Sequence, residues 1–567
     1  MHRTARFLPG LDRLLHYERG WLRPDLLGGL TVGAMLIPQS MAYAELAGMP
    51  PEAGFYAVLL GLVVYAVLGS SRHLGIGPEP GTAILAATGV GALAAGDPAR
   101  YAVLMAALAL VVAAVCFVAA LARLGFLADL LSRPVLVGYI TGVGLTLFSS
   151  QLTKVTGIPI DADAFFPRVW EMLTGLGDIA WGTLAMGIGA LALILWLRRS
   201  APKVPGALVA VAGATLLTIV FSLDSRGIAV VGDIPAGLPA LGIPDVGLRD
   251  LIDLLPAALG IAIVGYSDNV LTGRAIAAEH GYRIDPNQEL IALASTNLTS
   301  GLSQGFPVSS SASRTAVPAS LGTKTQLVSL VAAGFVVATL LVLRPLLADF
   351  PQAALGAVIL AAAIAIIDVD GFRQLQRLSR AEFALAISAA LGVMIFNVLT
   401  GVLIAVGLSV VIALWRIARP EDAILGEAGE LDGWVAIDDY PAARPLPGLL
   451  VYRFDAPLFF ANTEWFRRRV RHALDTNPGE EEWIIFDFEG IGSIDTTAVD
   501  MVGELVAELP SLGIAHAGLA RANTSTLDRL TRAGLVAPTG PLTIYPTINR
   551  AVQAFERDHP SADGAGT

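Results

Sequence analysis

Residues 305–321 read GFPVSSSASRTAVPASL. The Gly/Pro-containing GFPVSS (305–310) is extended in character. The segment 309–321 is too short and too rich in small residues to cross a bilayer alone, since a spanning helix needs about 20 apolar residues. A second stretch has the same form: GIGPEP (75–80) leads into the short segment 81–93, GTAILAATGVGAL. Around the pair lie apolar runs at 27–47, 54–69, 101–121, 134–150, 181–197, 204–223, 251–276, 289–302, 326–343, 353–367, 381–398 and 399–417. With the two short segments the total is fourteen, and the short ones are third and tenth. Those are the same place in two sets of seven. An odd-numbered repeat forces the second copy to be inverted, and short, interrupted segments at matching places mark a transporter's binding site. The expected fold is therefore an α-helical membrane protein of fourteen transmembrane segments in a 7+7 inverted repeat.

Composition supports a membrane solvent. The 567 residues are 54% hydrophobic and 15% charged, against about 25% charged in an average soluble domain. Mean hydropathy is +0.66. So much apolar surface belongs in lipid, which excludes a soluble globule, a fibrous or disordered chain and a small disulfide-rich fold. Cys116 is the only cysteine, which excludes an internal disulfide and a Cys-based metal site. His2, His16, His73, His280, His472, His516 and His559 show no ligand spacing, so no metal or cofactor is expected. Residues 1–9 are basic but lack an apolar core and a small-residue cleavage site, so no removable signal peptide is read.

The net charge of −11 is unevenly placed. Residues 1–419 are almost balanced, whereas 420–567 hold 11 Lys+Arg and 23 Asp+Glu. The acidic tail is a poor match for nucleic acid, which needs a basic surface. Positive charge gathers at Arg3, Arg6, Arg13, Arg19 and Arg23, at Arg123 and Arg133, at Arg198, Arg199 and Lys203, at Arg373, Arg377 and Arg380, and at Arg416 and Arg419. These places precede span one and follow spans four, six, twelve and fourteen, so all fall on one side, which is cytoplasmic by the positive-inside rule. The loop 224–250 after span seven is net acidic, as the outer side requires. In the tail, 449–453, 483–488 and 514–519 read as strands, and 464–474, 498–509 and 524–533 as helices, giving a small α/β domain. The expected organisation is a cytoplasmic segment 1–25, a transmembrane domain 26–419, a linker 420–445, an α/β domain 446–558 and a disordered end 559–567.

A helix that begins in mid-membrane presents unpaired N–H groups and the positive end of its dipole. Two such ends facing each other make an anion site without a full charge. The tenth segment adds the hydroxyls of Ser309, Ser310, Ser311, Ser313 and Thr315, and Arg314 adds a positive charge at membrane depth, where ionisable residues mark function. The competing reading is that the small residues only let helices pack closely. GIGPEPG lacks the GxGxxG spacing of a nucleotide loop. Its Glu79 reads either as a latch or as an exposed charge near the helix start. Asp268, in LGIAIVGYSDNVLTGRAIA (259–277), is a proton-coupling or gating candidate, with pairing to Arg314 or Arg274 as the alternative. In IPQSMAYAELAG (37–48), Gln39 and Ser40 follow Pro38 and complete a pocket wall, with Tyr43 and Phe55 as apolar faces, or make interhelical hydrogen bonds. In the tail, Asp495, Thr496 and Thr497 open a helix, where Asp495 reads as an ordinary N-cap.

Taken together, GGLTVGAMLIPQSMAYAELAGMPPEAGFY (28–56), SRPVLVGYITG (132–142), EHGYRIDPNQELIALASTN (279–297), GFPVSSSASRTAV (305–317) and the tail motifs DAPLFFAN and DTTAVD resemble the SulP sulfate permease family, solute carrier family 26. The resemblance covers nearly the whole chain. It implies core and gate domains of the uracil-permease type, a cytoplasmic STAS domain in the tail, and a homodimer. It places the substrate site at Gln39 and Tyr43, at Gly81, Thr82 and Ala83, and at Ser313 and Arg314, beside Ser311. Asp268 falls where many members carry an eighth-span Glu implicated in coupling. Asp495, Thr496 and Thr497 match the loop that is phosphorylated in anti-sigma factor antagonists.

The function expected from these features is secondary active transport of a small anion, sulfate foremost. It would proceed by proton symport or anion exchange and elevator-type alternating access. Bicarbonate uptake with sodium and C4-dicarboxylate uptake with protons are the alternatives within transport. An anion channel and a STAS-coupled sensor are the alternatives outside it. No intramembrane nucleophile with a base is present to suggest an enzyme. The expected location is the cell membrane, multi-pass, with the N-terminus and STAS domain in the cytoplasm.

Overall fold

A computed structural model describes residues 8–125, 133–162, 164–201, 204–232, 237–396, 398–429, 433–476, 481–536 and 540–559. Arg3, Arg6, Lys203 and the end of the chain beyond His559 lie outside the described residues. The chain divides into two compact units, Met1–Ser409 and Val410–Thr567.

Each of the fourteen segments is a helix. They are α1 (Leu22–Leu46), α2 (Pro51–Leu68), α3 (Pro80–Ala94), α4 (Pro98–Leu121), α5 (Arg133–Ser150), α6 (Trp181–Ser200), α7 (Gly206–Phe221), α8 (Leu255–Glu279), α9 (Pro286–Leu302), α10 (Ala312–Ser320), α11 (Leu327–Ala338), α12 (Gln352–Ile366), α13 (Arg380–Phe396) and α14 (Val398–Ala418). Several start signals are visible in the sequence. Asp97 and Asp285 cap α4 and α9 from the residue before Pro98 and Pro286, the arrangement in which proline's missing N–H costs nothing. Among the described residues eight helices are long and apolar enough to cross a membrane. Leu216, Leu217, Ile219 and Val220 of α7 stay exposed in the isolated chain, as lipid-facing residues do.

Two short strands sit at the centre. β1 (Ile76–Gly77) pairs antiparallel with β2 (Ser309–Ser310). The helices that follow, α3 and α10, therefore leave one crossing in opposite directions. This corrects the expected start of the tenth segment: Ser309 and Ser310 are extended and the helix begins at Ala312. The reason is tertiary, since the Ser310 N–H donates to Asn269 Oδ1 at 2.8 Å and the Ser311 N–H to the Gly75 carbonyl at 3.0 Å. Glycine is needed here. A Cβ on Gly75 would stand 2.8 Å from Arg314 Cβ, and Gly77 has φ +154° with Val58 at 2.9 Å from its place for a Cβ.

The second unit holds a six-stranded sheet in the order β4-β3-β5-β6-β7-β8. The strands are β3 (Asp422–Glu427), β4 (Trp434–Ala436), β5 (Leu449–Phe454), β6 (Trp483–Asp487), β7 (His516–Ala520) and β8 (Thr543–Tyr545). β5 to β8 run parallel, and β3 is antiparallel to both its neighbours. β5 alternates, as a strand with both faces covered does. Leu450, Tyr452 and Phe454 join a core with α15 (Thr463–Thr476), α16 (Thr496–Glu508) and α17 (Thr524–Arg532). Leu449 and Val451 face α18 (Ile548–Asp558) through Val552 and Phe555. Part of the stretch 420–445, read from sequence as a linker, is thus sheet: β3 and β4 lie in it. Neither strand has a long apolar run, so only their pairing with β5 reveals them.

Candidate functional site

A cavity of about 530 Å³ lies at the crossing. One wall, from α1, α3, α8 and α10, carries most of the polar groups, Gln39, Tyr43, Glu79, Asp268, Ser311 and Ser313, beside Met35, Pro80, Ala312, Ala316 and Val317. The other wall is largely apolar: Ile194 and Arg198 of α6, Gly206 and Ala207 of α7, and Val358, Ala361, Ala362, Ala365 and Ile366 of α12. A second cavity, about 590 Å³, is lined by Ile84, Thr88, Tyr101, Phe165 and Met394 among others, and includes neither half-helix N-terminus.

The two helix starts differ. Glu79 caps α3, its Oε2 accepting the Thr82 N–H at 3.0 Å, while the Thr82 hydroxyl donates to the Glu79 carbonyl at 3.1 Å. Glu79 is thus a part-buried N-cap on the cavity wall and not the exposed charge of the second sequence reading. The N-cap residue of α10 is Ser311, and no side chain caps that end. The Ser311 and Ser313 hydroxyls are 3.1 Å apart on the cavity side. An uncapped helix start beside two hydroxyls offers donors and a positive dipole end to an anion.

Arg314 is fully buried. Its Nη1 donates to Gln39 Oε1 at 3.2 Å, and its Nε and Nη2 have no protein partner. Gln39, rather than Arg314, forms the cavity wall. Tyr43, Glu79 and Asp268 all act on Arg314 electrostatically. Gly81, Thr82 and Ala83 are buried in the first turn of α3, and the wall there is Glu79 and Pro80. Phe55 is fully buried in the core and does not line the cavity.

Asp268 is held by hydroxyls. Its Oδ2 accepts from the Ser310 hydroxyl at 3.1 Å, and Thr272 bonds it as well. The next residue, Asn269, anchors the Ser310 backbone. Asn297 of α9 does the same for Val308, accepting its N–H at 2.9 Å and donating to its carbonyl at 3.0 Å. These two asparagines fix the extended stretch before α10, and sequence reading gave them no role. A buried amide that pairs with both backbone groups of an extended residue satisfies what would otherwise be orphaned in the interior.

Glu289 of α9 was also missed. Its carboxylate is buried and accepts from Ser70 N at 2.9 Å, Ser70 Oγ at 2.6 Å, Ser71 N at 3.2 Å and Tyr65 Oη at 2.9 Å. A single acidic letter in an apolar run is the available signal, and four donors explain how the charge is accommodated. In the second unit Asp495 caps α16, accepting Ala498 N–H at 2.8 Å, and also takes the Phe460 N–H at 2.9 Å. Thr496 and Thr497 are exposed in the first turn.

The geometry meets its relatives here. Residues 22–389 match the sulfate permease family and residues 440–551 match the STAS domain. A probable sulfate transporter of Mycobacterium tuberculosis is 47% identical over 98% of this chain and 99% of its own length. Probable sulfate transporter 4.2 of Arabidopsis thaliana is 30% identical over 94% of this chain and 81% of its own. The fold is that of murine solute carrier 26 family member A9, an anion transporter solved in the inward-facing state, with TM-score 0.88 over 97% of this chain and 94% of that one, at 24% identity. On the family match and the near full-length relatives, the chain belongs to the sulfate permease family, multi-pass membrane proteins that transport anions and are not enzymes.

Proposed function

We propose that this protein is a secondary active transporter of sulfate, driven by proton symport or by exchange for another anion. The uncapped start of α10, opening with Ser311 and Ser313 onto the cavity, is the observation that carries this reading. The relatives named as sulfate transporters support the choice of sulfate. A tetrahedral oxyanion has acceptor oxygens on every side, which suits convergent backbone N–H and hydroxyl donors. Arg314, one shell behind Gln39, supplies positive potential without a direct ion pair that would hold the anion too tightly to release it.

Movement follows from the unlike walls. The polar groups belong to α1, α3, α8 and α10, whereas α6, α7 and α12 offer mostly small and apolar residues. An anion therefore travels with the first group, and the second is a surface to slide along, which is elevator-type alternating access. Asp268, hydrogen-bonded to Ser310 beside the site, is the group that couples a proton to the anion. The clustering of Arg and Lys on one side supports a cytoplasmic N-terminus and STAS domain in the cell membrane. Thr496 and Thr497 at the start of α16 are the positions for regulatory phosphorylation, and a homodimer completes the reading.

Flux into proteoliposomes tests it. Labelled sulfate, bicarbonate and fumarate are supplied separately under imposed pH and sodium gradients. Sulfate accumulation that follows the pH gradient or a counter-anion is the expected result. Accumulation of bicarbonate with sodium, or of fumarate alone, contradicts it, as does flux with no gradient coupling.

A further inference from the structure

Glu79 stands where an anion is expected. Its carboxylate already holds the start of α3 through the Thr82 N–H, whereas α10 has no side-chain cap. It lines the same cavity as Asp268, Gln39 and Ser313. The charged and titratable groups acting around it are Asp268 from α8, Arg314 from α10, Tyr43 from α1 and Tyr139 from α5. Arg198 of α6 lines the cavity's other wall. One small site thus holds two carboxylates against one buried guanidinium, whose Nε and Nη2 lack protein partners. Arg198 is solvent-exposed and screened, so a dianion that enters while both carboxylates are ionised meets net repulsion from the buried groups, which solvent screens poorly.

We propose that Glu79 is a tethered competitor of the transported anion: it occupies the α3 helix start in the empty site and must take up a proton before a divalent anion binds, so that Glu79 and Asp268 each carry one proton with the anion. This rests on the sulfate reading above. Protonation puts a hydrogen on the Glu79 carboxylate, ends its charge-assisted bond to the Thr82 N–H, and frees that N–H for an anion oxygen. The charge balances. Empty, the trio of Glu79, Asp268 and Arg314 carries one net negative charge, and loaded with a dianion and two protons it carries the same. The moving group therefore crosses the membrane with unchanged charge, and loading adds no electrostatic barrier.

The test uses purified full-length protein and sulfate itself as the probe. Sulfate affinity of the wild type is measured by calorimetry, and is expected to tighten ~10-fold as pH falls from about 8 to about 6. Glu79→Gln removes the charge, and its neutral amide oxygen is a weaker acceptor that a dianion can displace from the Thr82 N–H. It is expected to bind sulfate ~10-fold more tightly than wild type at about pH 8, with a shallower pH dependence. In proteoliposomes its ratio of protons to sulfate falls from two to one. Glu79→Asp, which keeps a titratable group at the helix start, retains the pH dependence and guards against a general loss of fold. A pH dependence and proton ratio unchanged in Glu79→Gln overturn this proposal alone. Weaker sulfate binding in Glu79→Gln with normal binding in Glu79→Asp also overturns it, because Glu79 is then a ligand and not a competitor. Wild-type protein that binds no sulfate at either pH overturns the sulfate reading and the proposal with it.

Discussion

Arg314 reaches the cavity through Gln39: its Nη1 donates to Gln39 Oε1 at 3.2 Å from a guanidinium with no solvent exposure. The amide is held with its oxygen toward the arginine, so its NH₂ group is turned elsewhere and becomes available as a donor. A buried cation is thereby converted into an oriented neutral donor on the wall, backed by positive potential.

Arg314→Ala removes both effects. With the Gln39 amide no longer oriented and the positive potential behind it gone, sulfate affinity is expected to fall ~10-fold or more, a loss of about 1.4 kcal/mol or more. Equilibrium binding to the purified protein reads this directly. Affinity equal to wild type would place the anion elsewhere.

Asp268→Asn retains a hydrogen-bond acceptor for the Ser310 hydroxyl and cannot exchange a proton. Sulfate binding is expected to persist while the ratio of protons to sulfate falls from two to one, the remaining proton being that of Glu79. A ratio equal to wild type removes Asp268 from coupling.

Glu289→Ala acts on the fold and not on the site. It leaves the Tyr65, Ser70 and Ser71 donors without their acceptor. Unsatisfied buried groups cost about 1–3 kcal/mol each, so the melting temperature in detergent is expected to drop markedly, with sulfate affinity unchanged in the protein that remains folded. A melting temperature equal to wild type contradicts the stabilising role.

The second unit contains a pH-sensitive contact. His559 Nε2 lies 2.8 Å from Glu482, and that hydrogen bond, with a smaller contribution from the Phe555 carbonyl, raises the His559 pKa above its ordinary value. A raised histidine pKa stabilises the fold below the unfolded value near 6.5, and the benefit is lost as pH climbs through the folded value. The last turn of α18 is therefore expected to lose amide protection as pH rises from about 6 to about 8. Hydrogen exchange on the full chain measures it, and His559→Ala should flatten the response.

The apolar runs made the helices legible because each is long enough to be recognised without its partners. Where a partner decides, the sequence was silent. Ser309 and Ser310 look like the start of a helix until β1, over two hundred residues away, pairs with them. β3 and β4 have too few apolar residues to stand out before β5 is placed beside them. At the site, Arg314 and Asp268 were visible as charges at membrane depth. The capping role of Glu79 depends on α3 starting at Pro80, and the bracing by Asn269 and Asn297 depends on backbone groups that no letter records.

The site itself is tested most directly by locating a bound anion. Selenate replaces sulfate with a heavier scatterer of the same shape, and crystals of the full chain soaked in it give an anomalous peak. The peak is expected at the first turn of α10, within hydrogen-bond distance of the Ser311 and Ser313 groups and beside Gln39. A peak in the cavity lined by Ile84, Tyr101 and Phe165, with none at the crossing, would contradict it.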